Sequence, residues 1–365
     1  MDARVGDSLN ELYGDAGETT PILVVPYMWI GDFVRCHTVV RMLRERWPLR
    51  PVDVVSTTLT AALTEFMPGI RKTIVADVPH RRLAVRTQME LVRRMRKEHY
   101  GTALVMSRKW KAALAPMLAG VPERVGFFGE ARLFLINTFR RGERHLPRLI
   151  DKCAALALPA GAVPPADLPA PQLDVPLAEV AAWRQRRGLS GGRRIVALAP
   201  GSVGSSKRWP AAHYAALAAE LAREGADVWV IGGPGERELA HEIGVASGGA
   251  TKDLTGPNLR DGILALRASN LAVSNDSGLL HVAAAVGTPT IGIFGPTSAW
   301  HWAPLNPLAG TVSAVNPPSC APCHKPICRF GHHQCMRDIP AEQVMAAVRH
   351  SFAEAVGAEA VGQPA

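Results

Sequence analysis

The sequence predicts an α/β protein built from two doubly wound parallel sheets that face each other across a ligand cleft. Short β-branched runs alternate with Ala-, Leu- and Arg-rich stretches of helical period, which is the pattern of repeated βα units. This alternation stops at a Pro-rich segment, residues 158–178, and restarts after it. A length of 365 residues also suits two domains that each bury a core of their own.

The predicted elements follow in order along the chain. In the first half, strands are expected at Ile22–Tyr27, Val52–Ser56, Thr73–Ala76 and Ala103–Ser107, with helices at Val34–Glu45 and Leu83–His99. In the second half, strands are expected at Ile195–Ala199, Val228–Ile231, Leu271–Ser274 and Thr290–Phe294, with helices at Ala211–Glu224, Glu236–Val245 and Gly278–Ala285. The expected boundaries are a polar tail at 1–20, an N-terminal domain at 21–157, a linker at 158–178, a C-terminal domain at 179–350 and a tail at 351–365.

Composition excludes several classes of protein. With 47% hydrophobic and 20% charged residues, the chain is neither disordered nor collagen-like, and six cysteines are too few for a disulfide framework. No run approaches the ~20 apolar residues of a membrane-spanning helix. The first twenty residues are polar and acidic. We therefore expect a cytoplasmic protein without a signal peptide or membrane anchor.

The net positive charge is confined to the first half of the chain. Residues 21–160 carry 24 basic and 11 acidic side chains, a net charge of +13, whereas residues 161–365 carry 16 of each. One run of basic residues comprises Arg81, Arg82, Arg86, Arg93, Arg94, Arg96 and Lys97, many of which a solvated helix face explains. A second group, Arg108, Lys109 and Lys111, follows a predicted strand and could clamp phosphates or sugar carboxylates. This half is expected to face an anionic partner.

Ligands of doubly wound sheets lie outside the carboxyl ends of the strands, so the residues after each strand are the candidates for a site. Gly31 and Asp32 follow the first predicted strand, and Gly31 permits a tight turn. Asp32 stands where a helix N-cap is expected, and Asp is a preferred cap. The functional alternative is a lone carboxylate that acts as a general base.

Two loops of the second half are rich in small residues. The loop after Ile195–Ala199 contains Ser202 and Lys207, which offer a hydroxyl and a cation to a phosphate beside exposed backbone N–H groups. The loop 232–236 ends in Glu236, an acid that could bind ribose hydroxyls. A solvated turn is the alternative for both loops.

The strongest local signal is the segment from Ser274 to His281. A strand ends in polar residues and a helix opens with Ser277 and Gly278, so its unsatisfied N–H groups form an anion site. His281 lies one turn into that helix and could reach the same place. The alternative is a buried histidine bonded to a carbonyl.

Four cysteines crowd together near the end of the chain. Cys320, Cys323, Cys328 and Cys335 are interleaved with three histidines, which suits a thiolate site for zinc or an iron–sulfur centre. The spacing is not that of a common zinc finger. The alternative is a set of reduced cysteines that pack a loop-rich tail.

The motifs GD, PGS…SKRWP, GGPGE and SNDSGLLHVAAAVGTPTIGIFGPT together resemble glycosyltransferase family 9, the ADP-heptose:lipopolysaccharide heptosyltransferases, over about residues 21–350. The stretch from Trp110 to Glu130 is most similar to the subgroup that adds the second heptose of the inner core. The resemblance implies a GT-B architecture, two Rossmann-like domains that bind the acceptor in the N-terminal half and the nucleotide sugar in the C-terminal half.

The resemblance also implies roles for individual residues. Asp32 matches the catalytic base, and Lys207 matches the lysine that meets the donor diphosphate. The donor-binding residues implied are Ser202, Lys207, Glu236, Asp276, Ser277, Gly278 and His281, and those implied for the acceptor are Gly31, Arg108, Lys109 and Lys111. Val203 departs from the Thr-Thr pair that binds phosphate in some members, so one hydroxyl is missing here.

The reaction implied is a single displacement with inversion, in which Asp32 deprotonates an acceptor heptose hydroxyl and Lys207 stabilises the departing ADP. No cofactor or metal is expected, since the sequence offers no acidic DxD pair. The partners expected are ADP-L-glycero-D-manno-heptose, an anionic lipopolysaccharide acceptor and the cytoplasmic face of the inner membrane, with no nucleic acid. The alternatives are a family member with another donor or acceptor, and a non-catalytic or redox protein organised by the cysteines.

Overall fold

The computed structural model describes residues 19–78, 84–130, 132–189 and 191–361, with side chains as far as Glu354. The chain divides into two compact units, Met1–Gln172 and Leu173–Ala365, and this boundary falls inside the Pro-rich segment. Most of the polar N-terminal tail, together with Arg81 and Arg82 of the basic run, lies outside the described residues.

The first unit contains a six-stranded parallel sheet in the order β3-β2-β1-β4-β5-β6. Its strands are β1 Ile22–Val25, β2 Val52–Ser56, β3 Ile70–Val75, β4 Thr102–Val105, β5 Glu123–Phe127 and β6 Thr138–Arg140. Its helices are α1 Ile30–Arg46, α2 Thr58–Thr64, α3 Val85–Glu98, α4 Trp110–Leu118 and α5 Leu149–Ala157. Every residue of β1 and β4 is buried, as expected for central strands with helices on both faces of the sheet.

The second unit contains another six-stranded parallel sheet, in the order β12-β11-β10-β7-β8-β9. Its strands are β7 Ile195–Ala199, β8 Asp227–Val230, β9 Thr251–Asp253, β10 Leu271–Asn275, β11 Thr290–Ile293 and β12 Ala309–Val312. Its helices are α6 Leu177–Arg186, α7 Ala211–Arg223, α8 Arg237–Ala246, α9 Leu259–Ala268, α10 Gly278–Ala285, α11 Ala299–Trp302, α12 Gln334–Arg337 and α13 Ala341–Val361. Among the described helices, none is long and apolar enough to cross a bilayer.

Both sheets have the doubly wound topology that the sequence predicts. Numbered from its own first strand, each sheet has the order 3-2-1-4-5-6. The strand order therefore reverses between β1 and β4 in the first unit and between β7 and β10 in the second. Such a switch point opens a crevice at the carboxyl ends of the strands.

The eight predicted strands are all present, but four strands were missed. The missed strands are β5, β6, β9 and β12, of which the last three lie at sheet edges. β9 has the sequence Thr-Lys-Asp and is partly exposed, so it lacks the apolar run that marks a buried strand. Helix α13 also continues to Val361, into the segment 351–365 expected as a tail.

The Pro-rich segment is bonded to both units in turn. The Pro169 carbonyl accepts a hydrogen bond from Thr38 Oγ1 at 2.8 Å, and the Gln172 N–H donates to His37 Nδ1 at 3.0 Å, so this part lies along α1. From the next residue the chain joins the second unit, where the Leu173 N–H donates to the Ala285 carbonyl at 2.8 Å. Pro169 and Gln172 are thus bonded to the first unit and Leu173 to the second.

Candidate active site

Lys207 and Asp276 pair at the switch point of the second unit. Lys207 ends the 3-10 turn Ser205–Lys207 in the loop after β7, and Asp276 follows β10 directly. Lys207 Nζ lies 2.7 Å from Asp276 Oδ2; the carboxylate is 4% exposed, whereas the lysine side chain is 29% exposed. The pair thus places a cation with solvent access where doubly wound sheets bind their ligands.

Asn275 holds the loop after β7 in place beneath this pair. Its side chain is fully buried, and Nδ2 donates to the Pro200 carbonyl at 2.6 Å. Its Oδ1 accepts from the Trp209 N–H and from the Tyr214 hydroxyl, both at 3.1 Å. These bonds tie both ends of the loop to β10, so the position of Lys207 is set by the core.

Helix α10 presents its N-terminus to the same region. Ser277 is the N-cap and its side chain makes no capping bond to the helix; its hydroxyl lies 3.1 Å from that of Ser274. No capping side chain therefore occupies the first-turn N–H groups, which suits an anion. His281 is buried in this helix, which agrees with the alternative of a core histidine, and its role toward a ligand stays a prediction.

Glu236 lies against the loop after β7. Its Oε2 accepts from the Gly233 N–H at 2.8 Å, and a Cβ added to Gly201 would stand 2.7 Å from Glu236 Cγ. Glycine at 201 is therefore what lets the acid approach this loop. Ser202 is buried, and its carbonyl accepts from Arg208 Nε at 3.2 Å and from the same guanidinium's second nitrogen at 3.1 Å. The predicted donor-binding residues thus come from loops after β7, β8 and β10.

Asp32 lies in the first turn of α1, and the N-cap prediction for it was wrong. Trp29 is the N-cap, because the helix begins at Ile30, four residues before the expected start at Val34. Asp32 is the third residue of the helix, where the positive end of the helix dipole stabilises a carboxylate. Its Oδ1 accepts from Arg35 at 2.8 Å, and the arginine side chain is buried while the aspartate keeps partial exposure.

Two thiols and a phenol lie near the Asp32 carboxylate. Cys36 Sγ lies 3.8 Å from Cys153 Sγ of α5, and both thiols are buried and free. The pKa of Tyr27 is raised, first by burial and then by the negative charge that Cys153, Cys36, Glu143 and Asp32 would place near it. Tyr27 is therefore neutral, and Asp32 forms its ion pair with Arg35.

The comparisons with known proteins agree along most of the chain. The family model "Glycosyltransferase family 9 (heptosyltransferase)" matches residues 88–334. Lipopolysaccharide heptosyltransferase 2 of Escherichia coli K12 is 31% identical over 336 residues, which are 89% of this chain and 96% of that protein. Lipooligosaccharide heptosyltransferase 2 of Haemophilus influenzae is 31% identical over 337 residues, 89% and 97% of the two chains. This chain belongs to glycosyltransferase family 9.

A solved member of the family has the same fold. The structure of E. coli ADP-heptose lps heptosyltransferase II superposes with a TM-score of 0.81 at 28% identity, over 92% of this chain and 99% of that one. The predicted α/β fold of the GT-B type is thereby confirmed, as is the prediction of a glycosyltransferase.

The basic residues of this glycosyltransferase fall into two sets. Helix α3 displays Arg86, Arg93 and Lys97 to solvent, as a solvated helix face requires. Arg108 and Lys109 lie between β4 and α4, next to acids: Arg108 Nε is 3.6 Å from Glu143, and Lys109 pairs with Glu130. Lys111 lies 5.9 Å from the ring of Trp110. Gly31 belongs to the first turn of α1, beside Asp32.

The four C-terminal cysteines of this glycosyltransferase are free thiols. Cys320 Sγ lies 3.8 Å from His332 Nε2, and Cys335 is buried whereas the other three are half-buried. Backbone N–H groups, that of His333 foremost, lower the pKa of Cys328; burial raises that of Cys335 to about 11, with neighbouring thiolates adding to it. Within the described ranges, no three His, Cys, Asp or Glu side chains are grouped to hold a metal ion.

Sequence reasoning missed two residues that shape the site. Arg35 stands three residues after Asp32, and an Asp-to-Arg spacing of three on a helix is a signal that could have found the pair. Asn275 was part of a quoted motif without a role. An amide at the end of an apolar strand, with no solvent nearby, must find internal partners, and that was the available signal.

Proposed function

We propose that this chain transfers a heptose from ADP-L-glycero-D-manno-heptose to the inner-core heptose of lipopolysaccharide, with inversion at the anomeric carbon. The observation that carries the proposal is the likeness to two heptosyltransferase 2 proteins over 89% of this chain and nearly all of theirs. Nearly the whole length of each of those proteins therefore has a matching segment in this chain.

The second unit supplies the groups that a nucleotide diphosphate needs. Lys207 neutralises phosphate charge, held by the buried carboxylate of Asp276 at 2.7 Å. The first-turn N–H groups of α10, beginning at Gly278 after Ser277, add donors for phosphate oxygens, with the hydroxyl of Ser202 and the imidazole of His281 proposed beside them. Glu236 would accept hydrogen bonds from the ribose hydroxyls.

Asp32 is the proposed general base. Its carboxylate takes the proton of an acceptor hydroxyl, whose oxygen bonds to the anomeric carbon as the bond from that carbon to the diphosphate breaks. ADP leaves with the electron pair of that bond, and Lys207 with the α10 N-terminus stabilises the charge that develops. One displacement inverts the anomeric centre. Arg35, bonded to Oδ1, holds the carboxylate in place.

The first unit is proposed to bind the acceptor. Gly31, Arg108, Lys109 and Lys111 lie after β1 and β4, where cationic side chains suit the acidic sugars and phosphates of an inner core. An acceptor of this kind is anchored in a lipid layer, so we propose peripheral contact with the cytoplasmic face of the inner membrane and no nucleic-acid partner.

Release of ADP tests the proposal. We expect release from ADP-heptose that depends on a heptose-bearing lipid A–Kdo acceptor, and a fall in kcat of about 10²-fold or more in Asp32→Asn. Glu90→Gln, an exposed carboxylate-to-amide change in the same unit, is the control and should keep full rate. An active Asp32→Asn would remove Asp32 from the role of base. Preference for a different nucleotide sugar in a donor competition would favour the other family 9 chemistry instead.

The cysteine cluster is kept apart from this chemistry. A zinc or iron–sulfur centre on Cys320, Cys323, Cys328 and Cys335 would be structural, and the contact of Cys320 with His332 is what supports it. The proposed transfer assigns no step to these four cysteines. Elemental analysis of the purified protein, with Cys320→Ser/Cys323→Ser as control, decides whether metal is bound.

A further inference from the structure

Five exposed apolar side chains stand along one border of the first unit. They are Trp29, Trp110, Phe128, Leu133 and Phe134, and we call them the apolar edge. Trp29, Trp110 and Phe128 follow the neighbouring parallel strands β1, β4 and β5 within five residues, so they lie at the carboxyl end of the sheet. Leu133 and Phe134 belong to the connection between β5 and β6, beside it. At about 4.8 Å between strands, these three strands span about 10 Å. Large apolar side chains gathered in this way mark an interaction surface.

The outermost part of the apolar edge is displayed by a built turn. Phe134 is 88% exposed and Leu133 55%, yet Arg132 and Ile136 on either side of them are fully buried. Arg132 Nε donates to the Phe127 carbonyl at 3.1 Å, and Arg132 Nη1 donates to the Ser107 carbonyl at 2.5 Å. The Arg132 carbonyl accepts from the N–H groups of residues 135 and 136. The two apolar side chains therefore point outward from a braced turn.

Cationic side chains flank this turn. The segments after β4 and β6 carry Arg108, Lys109, Lys111, Arg141 and Arg144, whereas their carboxylates and those of the turn are Glu130 and Glu143. Arg108 runs directly beside the turn, since a Cβ added to Gly129 would lie 3.0 Å from Arg108 Cβ. Apolar tips surrounded by long basic side chains are typical of surfaces that enter a lipid interface and contact its phosphates.

We propose that the apolar edge docks onto an anionic lipid bilayer, with Leu133 and Phe134 entering the interfacial layer and the flanking basic residues contacting lipid phosphates. The proposal rests on the proposed function for its setting, since a lipid-anchored acceptor must be reached at a membrane surface. Asp32 follows β1 at the same sheet edge, so docking there brings the proposed base to that surface. A second copy of the chain would fit this edge poorly, because five cations would then face five cations.

Vesicle binding by the full-length protein tests the proposal. We expect co-sedimentation with phosphatidylglycerol-containing vesicles, little binding to pure phosphatidylcholine, and weakening by salt. Leu133→Ser/Phe134→Ser should bind about tenfold or more weakly. The matched control is Leu49→Ser/Val163→Ser, which removes side chains that are 77% and 83% exposed in the same unit, away from the apolar edge. The control should bind as wild type does.

Equal binding by wild type and Leu133→Ser/Phe134→Ser, or an equal loss in the control, would overturn the proposal. So would wild type that dimerises without lipid while the double variant is monomeric. Phe134→Trp provides a second reading that keeps the turn apolar: its fluorescence should be quenched by lipids brominated on the acyl chain, and unquenched emission in bound protein would contradict insertion. The vesicles contain neither donor nor acceptor, so failure of sugar transfer and failure of docking are distinguished.

Discussion

At the switch point of the first unit, the strands β1 and β4 are followed by exposed cationic and apolar side chains. At the switch point of the second unit, the strands β7 and β10 are followed by loops that are joined through buried polar groups. The strand order is the same in both sheets. The second switch point is held by Asn275 and by the Lys207–Asp276 pair, and the first keeps Arg108 and Lys109 exposed. One topology thus carries the proposed anion site, tied to buried polar groups, and a second strand edge with exposed cations.

Lys207→Met removes the cation of the Lys207–Asp276 pair, and we expect the largest effect from this variant. kcat/KM with ADP-heptose should fall by about 10²-fold or more, because the cation proposed to meet the leaving diphosphate is lost. Removing it also leaves Asp276 buried without its partner, which destabilises the fold.

The double variant Lys207→Met/Asp276→Asn separates the two causes. It should recover thermal stability but not activity, whereas Lys252→Met, an exposed lysine of the same unit, should change neither. Activity that returns together with stability would show that Lys207 acts through the fold alone.

Asn275→Ala is expected to loosen the second switch point without touching a charge. It leaves the Tyr214 hydroxyl, the Trp209 N–H and the Pro200 carbonyl without a partner, at a cost of about 2–4 kcal/mol in the free energy of unfolding. Denaturant unfolding measures this cost. Asn306→Ala is the control: it loses a bond to the Ala284 carbonyl and an exposed bond from the Leu308 N–H, and it should cost about 1 kcal/mol.

Arg35→Met sharpens the comparison from the side of the first unit. We expect kcat to fall about tenfold, since Asp32 loses the bond that orients it, and Arg35→Lys to recover part of the rate. The KM for the donor should not change, because the donor-binding loops belong to the second unit. A change in the donor KM with unchanged kcat would contradict a positioning role.

The double variant Arg108→Gln/Lys111→Gln removes two exposed cations that follow β4, and it should give a smaller effect. The KM for a phosphorylated acceptor is expected to rise about threefold to tenfold, and the rise should shrink at high salt because exposed charges are screened. Arg86→Gln/Arg93→Gln on α3 is the matched control. Equal effects from both pairs would mean that general charge, and no particular border, attracts the acceptor.

Thiol labelling provides the mildest test. Since the pKa of Cys328 is lowered and that of Cys335 is raised to about 11, Cys328 holds more thiolate at neutral pH and should be alkylated first, with Cys335 reacting only as the pH rises toward 11. Mass spectrometry of the labelled peptides gives the order. Protection of all four C-terminal cysteines until a chelator is added would instead indicate a bound metal.

The parts predicted from sequence are those whose physical cause is local. β1, β7 and β10 were predicted correctly because central strands are apolar on both faces. The polar residues that follow β7 and that end β10 marked the loops that we propose for the donor. β6 and β9 were missed because edge strands are short and share the composition of loops. The position of Asp32 was misjudged because Gly31 suggested a turn before the helix, whereas the backbone already enters α1 at Ile30.

Contacts between distant segments were beyond reach. The bonds of Asn275 to Pro200 and Tyr214 join residues more than sixty positions apart, and no periodicity encodes such a pairing. The turn that displays Phe134 depends on Arg132 reaching the Ser107 carbonyl across two strands. Sequence pattern shows which residues follow a strand, and the fold decides which of them meet.

The buried amide of Asn275 belongs to the core and to the loop that positions Lys207 at once. Any weakening there is felt first as a rise in the fraction of molecules whose loop has opened, and that fraction grows with temperature. In a growing cell, substitutions at this position would therefore give temperature-sensitive alleles: enzyme that matures normally in the cold and fails in the warm. Substitutions of exposed residues around Phe134 leave the stability of the fold unchanged, so their effect on growth should not depend on temperature.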